Sequence, residues 1–271
     1  MFKSNRTIAK AEVTRLDLST RVRIEAQITD ARAVAIDRAQ FERLETRYTQ
    51  WVAATPWRQY LFRFLGPLDG KMMLDIGCGY AMTPIIFALA GATVYAIDVA
   101  PQTIATNQWF ADIRGVADRV HLHVGPAEML PYPNAMFDLV YGGAALHHLQ
   151  LKRAGPEIAR VLKPGARGGF QDPLGHNPLL EFARDRLAYK DKHPVKGTDL
   201  PLRIDDVHAF GGHFAAYTYR SFELFAMASK LLHLKSTSRL CKLLNATDNL
   251  LFDTIPYLQR YARFVITCVT A

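Results

Sequence analysis

Seven consecutive residues, Leu74-Asp75-Ile76-Gly77-Cys78-Gly79-Tyr80, concentrate the chemistry of this chain. An apolar run ends in an acid, and two glycines follow one residue apart. Glycine there permits a tight turn and lets a ligand approach the backbone unobstructed. A helix starting just beyond offers free N–H groups and the positive end of its dipole. Asp98 closes the next apolar run, nineteen positions after Gly79. A carboxylate at that place can accept hydrogen bonds from both hydroxyls of a ribose. A dinucleotide turn, G-x-G-x-x-G, would need a third glycine at 82, where the chain has Met82. The spacing therefore predicts an adenosyl ligand without a pyrophosphate, with Asp75 placed to hold a cationic group directly or through water.

A second set of residues suits proton transfer. His147 and His148 stand in Leu146-His147-His148-Leu149, after a later apolar run. Imidazole titrates near neutrality, as a general base should. Adjacent histidines usually diverge, and no cysteine or acid accompanies them in sequence, so no metal site is expected. His148 is the preferred pocket residue of the two, and each ring has a structural alternative in capping or packing the helix that follows. Asp172 ends a further apolar run, and His176 follows it in Asp172-Pro173-Leu174-Gly175-His176-Asn177-Pro178. Both can reach a substrate if that loop borders the site. His193, His208 and His213 lie in the same region.

Strands and helices must alternate to bring these groups together. Short apolar runs predict strands at 72–76, 93–97, 120–124, 137–141 and 168–171. Helical patterns lie between them at 83–90, 101–114 and 156–162, the first two opening at or beside a proline. Strands separated by helices imply a parallel sheet with right-handed crossovers and a ligand at the strands' C-terminal ends. Residues 7–50 have helical character, with Ile24, Ile28, Ala31, Phe41 and Leu44 as apolar positions. Beyond Asp172 the alternation stops. Prolines 173, 178, 194 and 201 and the pair Gly211-Gly212 suggest helix and loop over the sheet. Helices are expected at 222–232 and 240–251, and a closing strand at 263–270.

Five segments in order carry a family resemblance across about residues 71–172. They are Leu74 to Gly79, Val94 to Asp98, Gly125-Pro126-Ala127-Glu128-Met129-Leu130-Pro131-Tyr132, Phe137 to Val140, and Arg160-Val161-Leu162-Lys163-Pro164-Gly165-Ala166. On these the chain resembles the class I S-adenosylmethionine-dependent methyltransferases, in particular their small-molecule group. The resemblance implies a Rossmann-like α/β fold: a seven-stranded, mostly parallel sheet with helices on both faces and an antiparallel last strand. It implies that Asp75, Gly77, Cys78 and Gly79 line the methionine portion of S-adenosylmethionine, and that Asp98 holds the ribose. Ala127 and Glu128 would flank adenine, Val99 would pack on its face, and Gly142 would sit beside the methionine chain. The product would be S-adenosylhomocysteine. Methyl transfer leaves a neutral thioether, so a base is needed only where the acceptor must lose a proton. His148, His147, Asp172 and His176 are the catalytic candidates.

The implied organisation is a helical N-terminal extension or lid at 1–66, a cofactor-binding core at 67–175, a substrate cap at 176–218, and C-terminal helices with the closing strand at 219–271. Aromatic residues gather beside the core: Tyr48, Trp51, Trp57, Tyr60, Phe62 and Phe64 before it, Phe210, Phe214, Tyr217 and Tyr219 after it. They suggest a bulky, fairly apolar acceptor, with core packing as the plainer alternative.

Of 271 residues, 49% are hydrophobic and 21% charged, which suits a substantial core. Three cysteines argue against a disulfide framework and fit a reducing cytoplasm. No membrane span is expected, because Pro84 and Gly91 interrupt the longest apolar stretch. The net charge of +8 invites nucleic acid as a partner, but the ten Lys/Arg of residues 1–50 are interleaved with seven Asp/Glu. Amino-methylating enzymes of nucleic acid carry an Asp/Asn-Pro-Pro-aromatic segment where this chain has Tyr141-Gly142-Gly143-Ala144. The partner expected instead is a small-molecule methyl acceptor, with O, N or C as the methylated atom. A homo-oligomer and a non-catalytic cofactor-binding scaffold stay open.

Overall fold

Met73, Leu74, Asp75 and Ile76 are all buried, which requires cover on both faces of the strand they form. In the computed structural model, which describes residues 17–34, 47–80, 82–186, 200–231 and 238–271, that strand is β1 (Met72–Ile76), at the centre of a sheet. Around it stand β2 (Thr93–Asp98), β3 (Val120–Val124), β4 (Phe137–Gly143), β5 (Leu162–Pro173), β6 (Ala216–Phe222) and β7 (Phe264–Thr270). Their order is β3-β2-β1-β4-β5-β7-β6. All pairings are parallel except those of β7 with β5 and β6. The expected seven-stranded, mostly parallel sheet is therefore present. Strand order reverses between β1 and β4, and such a switch point opens a crevice at the strands' C-terminal ends.

Side chains alternate across the sheet and build two cores. Met73, Leu139 and Tyr141 belong to one face, with Leu61, Phe62 and Leu65 of α3 (Pro56–Leu65), Ile85 and Phe87 of α4 (Thr83–Leu89) and Phe110 of α5 (Pro101–Ile113). A shorter helix, α2 (Tyr48–Ala53), joins them: Trp51 packs edge-on against Phe62 and Phe87. Leu74, Ile76, Val140 and Phe170 belong to the other face, with Ile158 and Val161 of α6 (Leu151–Val161) and Val207 and Phe210 of α8 (Ile204–Gly211). In chain order α7 (Pro178–Arg186) comes between α6 and α8. The chain also forms α1 (Leu18–Val34), α9 (Ala228–Leu231) and α10 (Arg239–Thr254).

Several boundaries differ from the sequence expectation. Phe222 does not open a helix; it ends β6, whose run Ala216 to Phe222 pairs in antiparallel register with β7 from Thr270 to Phe264. The edge position explains why the pattern hid it: Ala216, Tyr217 and Thr218 face solvent. The boundary at 218 thus falls inside a strand. Just before the expected boundary at 66, α3 buries Leu61, Phe62 and Leu65 against the sheet. Finally, α6 starts at Leu151 and contains Pro156 in its interior, and β5 begins at Leu162 and runs to Pro173. Phe41, Leu44 and His193 lie outside the described residues. No helix among the described residues is long and apolar enough to cross a membrane.

Candidate active site

The turn after β1 takes its shape from glycine. Gly77 has φ 59° and Gly79 φ 52°, left-handed values that cost most residues energy. Gly77 N donates to the Ile97 carbonyl at 2.8 Å, so the turn is tied to the end of β2. A Cβ at Gly77 would stand 3.0 Å from the Ala145 Cβ, so the loop after β4 closes on it. Met82 also has positive φ, 60°, immediately before α4. Asn107 of α5, which sequence reading did not single out, donates from Nδ2 to Gly79 O at 2.7 Å and Thr103 O at 3.0 Å. It holds the turn from behind.

A cavity of about 420 Å³ opens at this turn. Of the expected cofactor residues, Gly77, Cys78, Gly79, Asp98, Val99, Ala127 and Glu128 line it. Asp98 Oδ2 accepts from Gly79 N at 2.9 Å and Oδ1 from Ala100 N at 2.9 Å. Each oxygen keeps a second lone pair for a ligand. Burial pushes the Asp98 carboxyl above its ordinary pKa, against the pull of those two amides. Glu128 accepts from Gln150 N at 2.8 Å through Oε1, which links the cavity wall to the start of α6.

Two expected cofactor residues stand back from the wall. Asp75 is fully buried beneath the turn; its Oδ2 accepts from Thr83 Oγ1 at 2.6 Å. Its Oδ1 is buried with no hydrogen-bond partner among the described residues. Burial pushes the carboxyl up to about 8, with the Asp98 charge adding to the rise and Thr83 opposing it. Gly142 is also off the wall: a Cβ there would meet the Phe170 ring at 2.8 Å, so its role is to admit Phe170. The lining glycine is the next one, Gly143, where a Cβ would strike the Tyr141 hydroxyl at 2.6 Å.

His147 and His148 both reach the cavity, from the single helical turn Leu146–His148. Asp172 fixes the first: its Oδ1 lies 2.8 Å from His147 Nδ1 and accepts from His147 N at 3.1 Å. His147 is 5% exposed and Asp172 1%. Asp172 therefore contacts His147 and does not line the cavity. His148 is 26% exposed, and its Nδ1 lies 3.3 Å from Glu25 Oε2. The two rings sit 4.1 Å apart. His176 is elsewhere; its Nε2 accepts from Ile204 N at 3.1 Å at the start of α8. Burial first, then Arg203 and Arg260, hold its pKa below the imidazole norm, which suits a neutral acceptor. His208 bonds the Tyr217 hydroxyl at 2.9 Å and His213 packs on Gly155, both away from the cavity. Among the described residues no cluster of His, Cys, Asp or Glu is disposed to hold a metal.

The remaining wall comes from α1. Leu18, Arg21, Val22, Glu25 and Thr29 line the cavity at helical spacing, one face of three turns. The Arg21 guanidinium donates to the His148 carbonyl oxygen. Burial lowers its pKa, and the charges of Glu128 and Glu25 oppose that shift. Asp30 accepts from Gln102 N at 2.9 Å, anchoring the helix to α5. No described residue between 176 and 218 lines the cavity. Among the described residues, the aromatic side chains expected to cap the site do not line the cavity: Trp51, Phe62 and Tyr141 pack together on one face, and Phe210 packs on Phe170 on the other. Sequence reading missed the α1 residues because a helix with charge all round shows no inward stripe.

Residues 74–168 match the family model of the methyltransferase domain. The uncharacterized methyltransferase YcgJ of Bacillus subtilis (strain 168) is 33% identical over 168 residues, 52% of this chain and 65% of that protein. The 27-O-demethylrifamycin SV methyltransferase of Amycolatopsis mediterranei (strain S699) is 36% identical over 107 residues, 39% of either chain. The chain thus spans about two thirds or less of the length of these curated relatives. The crystal structure of geranyl diphosphate C-methyltransferase from Streptomyces coelicolor A3(2) shares the fold at 13% identity, with a TM-score of 0.57 over 93% of this chain and 97% of that one. With the glycine turn, Asp98 and the sheet order in place, the domain built on residues 74–168 belongs to the class I S-adenosylmethionine-dependent methyltransferases.

Proposed function

We propose that this chain transfers a methyl group from S-adenosylmethionine to an oxygen or nitrogen of a small, largely apolar metabolite. The residues present fit that donor. The turn at Gly77 and Gly79 leaves backbone open to a ligand, Asp98 offers lone pairs at the ribose position, and the orphaned Asp75 oxygen suits a cationic group nearby. The bound donor supplies an electrophilic methyl whose leaving thioether is neutral.

The observation that carries the reading is the imidazole pair on the cavity wall. A hydroxyl or amine acceptor must lose its proton, and His148, the more accessible ring, takes it as general base. His147, clamped to buried Asp172, fixes the turn that presents His148. Asp98 and Glu128 orient the adenosyl end, and α1 excludes water from the reacting centre. Leu18, Val22 and Leu149 make part of the wall aliphatic, which favours an apolar acceptor. The relatives leave the atom open, since one is named for an oxygen and one for a carbon acceptor.

Transfer of isotopically labelled methyl into a panel of small phenols, alcohols, amines and alkenes, read by mass spectrometry, tests this. His148→Ala should lower turnover about 10²-fold with cofactor affinity unchanged. A product methylated at carbon, or a His148→Ala enzyme as fast as the wild type, would overturn the heteroatom reading.

A further inference from the structure

The glycine turn presents four successive peptide N–H groups, and three of them are used inside the protein. Gly77 N and Cys78 N donate to the Ile97 carbonyl at 2.8 and 3.3 Å, and Gly79 N donates to Asp98 Oδ2 at 2.9 Å. The fourth, Tyr80 N, has no hydrogen-bond partner among the described residues, and Tyr80 lines the cavity. A trans peptide points its N–H opposite to its C=O. The direction of the Tyr80 N–H is therefore set by whatever holds the Gly79 carbonyl. Asn107 holds it. Its Nδ2 donates to Gly79 O at 2.7 Å and to Thr103 O, one turn back on α5, at 3.0 Å. Both of these neighbours are carbonyls, so the amide nitrogen faces them, not the oxygen. The bond to Thr103 steadies the amide from its own helix. Asn107 is fully buried, and its Oδ1 has no partner among the described residues. A buried acceptor left unpaired costs stability. A side chain that served packing alone would do better without it.

We infer that Asn107 is a positioning residue of the methyl-donor site: by holding the Gly79 carbonyl towards α5 it turns the Tyr80 N–H to the cavity, where that N–H donates to the carboxylate of the donor's amino-acid end. The inference rests on the amino-acid end lying at this turn; it needs neither a general base nor a particular methylated atom. It divides the work around Gly79. Asp98, bonded to Gly79 N, serves the ribose that every adenosyl ligand carries. Asn107, bonded to Gly79 O, serves the part that only the amino acid supplies.

Two ligands read the two ends of the donor apart, and neither needs an acceptor. S-adenosylhomocysteine carries the amino-acid end; 5′-methylthioadenosine has the same adenosine and a thioether but no amino acid. Titration calorimetry on the full chain gives the affinity for each. Asn107→Ala should weaken S-adenosylhomocysteine roughly tenfold, the worth of one hydrogen bond, and leave methylthioadenosine unchanged. Asn107→Leu, which nearly keeps the side chain's volume, should do the same and carries the test if the alanine variant does not fold, as thermal unfolding would show. Asp98→Ala should weaken both ligands alike. Asn107 variants that bind S-adenosylhomocysteine as tightly as the wild type would overturn the proposal. So would an equal loss for both ligands, which would make Asn107 a packing residue of the turn. A wild type that binds the two ligands equally well would show nothing at the turn holding the amino-acid end, and would remove the proposal while the donor reading stood. A wild type that binds neither would remove the donor reading itself, and the proposal with it.

Discussion

Asp98 carries two loads at once. Its carboxylate holds Gly79 N and Ala100 N, which shapes the turn, and it faces the cavity where a ribose would lie. Asp98→Ala should weaken S-adenosylhomocysteine binding by about 1–3 kcal/mol, measured by titration calorimetry; unchanged affinity would remove it from the ribose position. Asp75 differs, because it is buried and off the wall. Its carboxyl, raised to about 8 by burial, stays protonated in the fold where an unfolded aspartate ionises near 4. The unfolded state therefore gives up its proton first. Asp75 disfavours the native state progressively as pH rises from about 4 to about 8, and adds no further slope above that. Asp75→Asn keeps an acceptor for Thr83 and has no proton to lose. The ligand-free variant should gain thermal stability over the wild type across that window, and parallel melting profiles from pH 4 to 9 would refute the assignment. Both acids are legible in sequence because strand ends and glycine turns leave a local pattern. Glu25 and Arg21 are not, because only the docking of α1 brings them to the His147–His148 turn.

At the scale of elements, the loop after β4 is where packing leaves least room. Gly143 lines the cavity, and the Tyr141 hydroxyl occupies the place where a Cβ would go, 2.6 Å away. Tyr141 cannot yield easily: it is buried, stacked on Phe62 and edge-on to Phe87. Burial raises its pKa, Asp75 and Asp172 add to the rise, and Arg58 opposes it. Gly143→Ala should then cost about 1–3 kcal/mol of stability, the usual penalty of overpacking, and should loosen cofactor binding with it. Chemical denaturation with and without S-adenosylhomocysteine checks both, and a variant as stable as wild type would mean the loop can shift. Sequence marks this loop only as a pair of glycines, and the expectation chose Gly142. The two are told apart by strand alternation, which turns position 142 toward Phe170 on the face opposite Tyr141.

Across the whole molecule, the sheet is readable from short apolar runs because its central strands are buried on both faces. The flanks are less so. At the edge, β6 has an exposed start, and α3 looks like part of a detachable extension until Leu61, Phe62 and Leu65 are seen beneath the sheet. Burial differs between α1 and the pair α2 and α3. None of the described side chains of α1 is buried, and its contacts run to α5 and the His147–His148 turn. By contrast, α2 and α3 build a core with Phe87 and Tyr141. Two truncations separate these roles. A chain beginning at residue 47 keeps both cores, so it should unfold cooperatively with a melting point only a few degrees lower. It loses one wall of the cavity, and its affinity for S-adenosylhomocysteine should fall by about tenfold or more. A chain beginning at residue 67 loses three large core side chains, each worth about 2–5 kcal/mol, which together rival the whole stability of an ordinary domain. It should show no cooperative transition by calorimetry. If that shorter chain melted sharply, α3 would be a cover and not a core element; if the longer one failed to fold, α1 would be structural as well as a wall of the site.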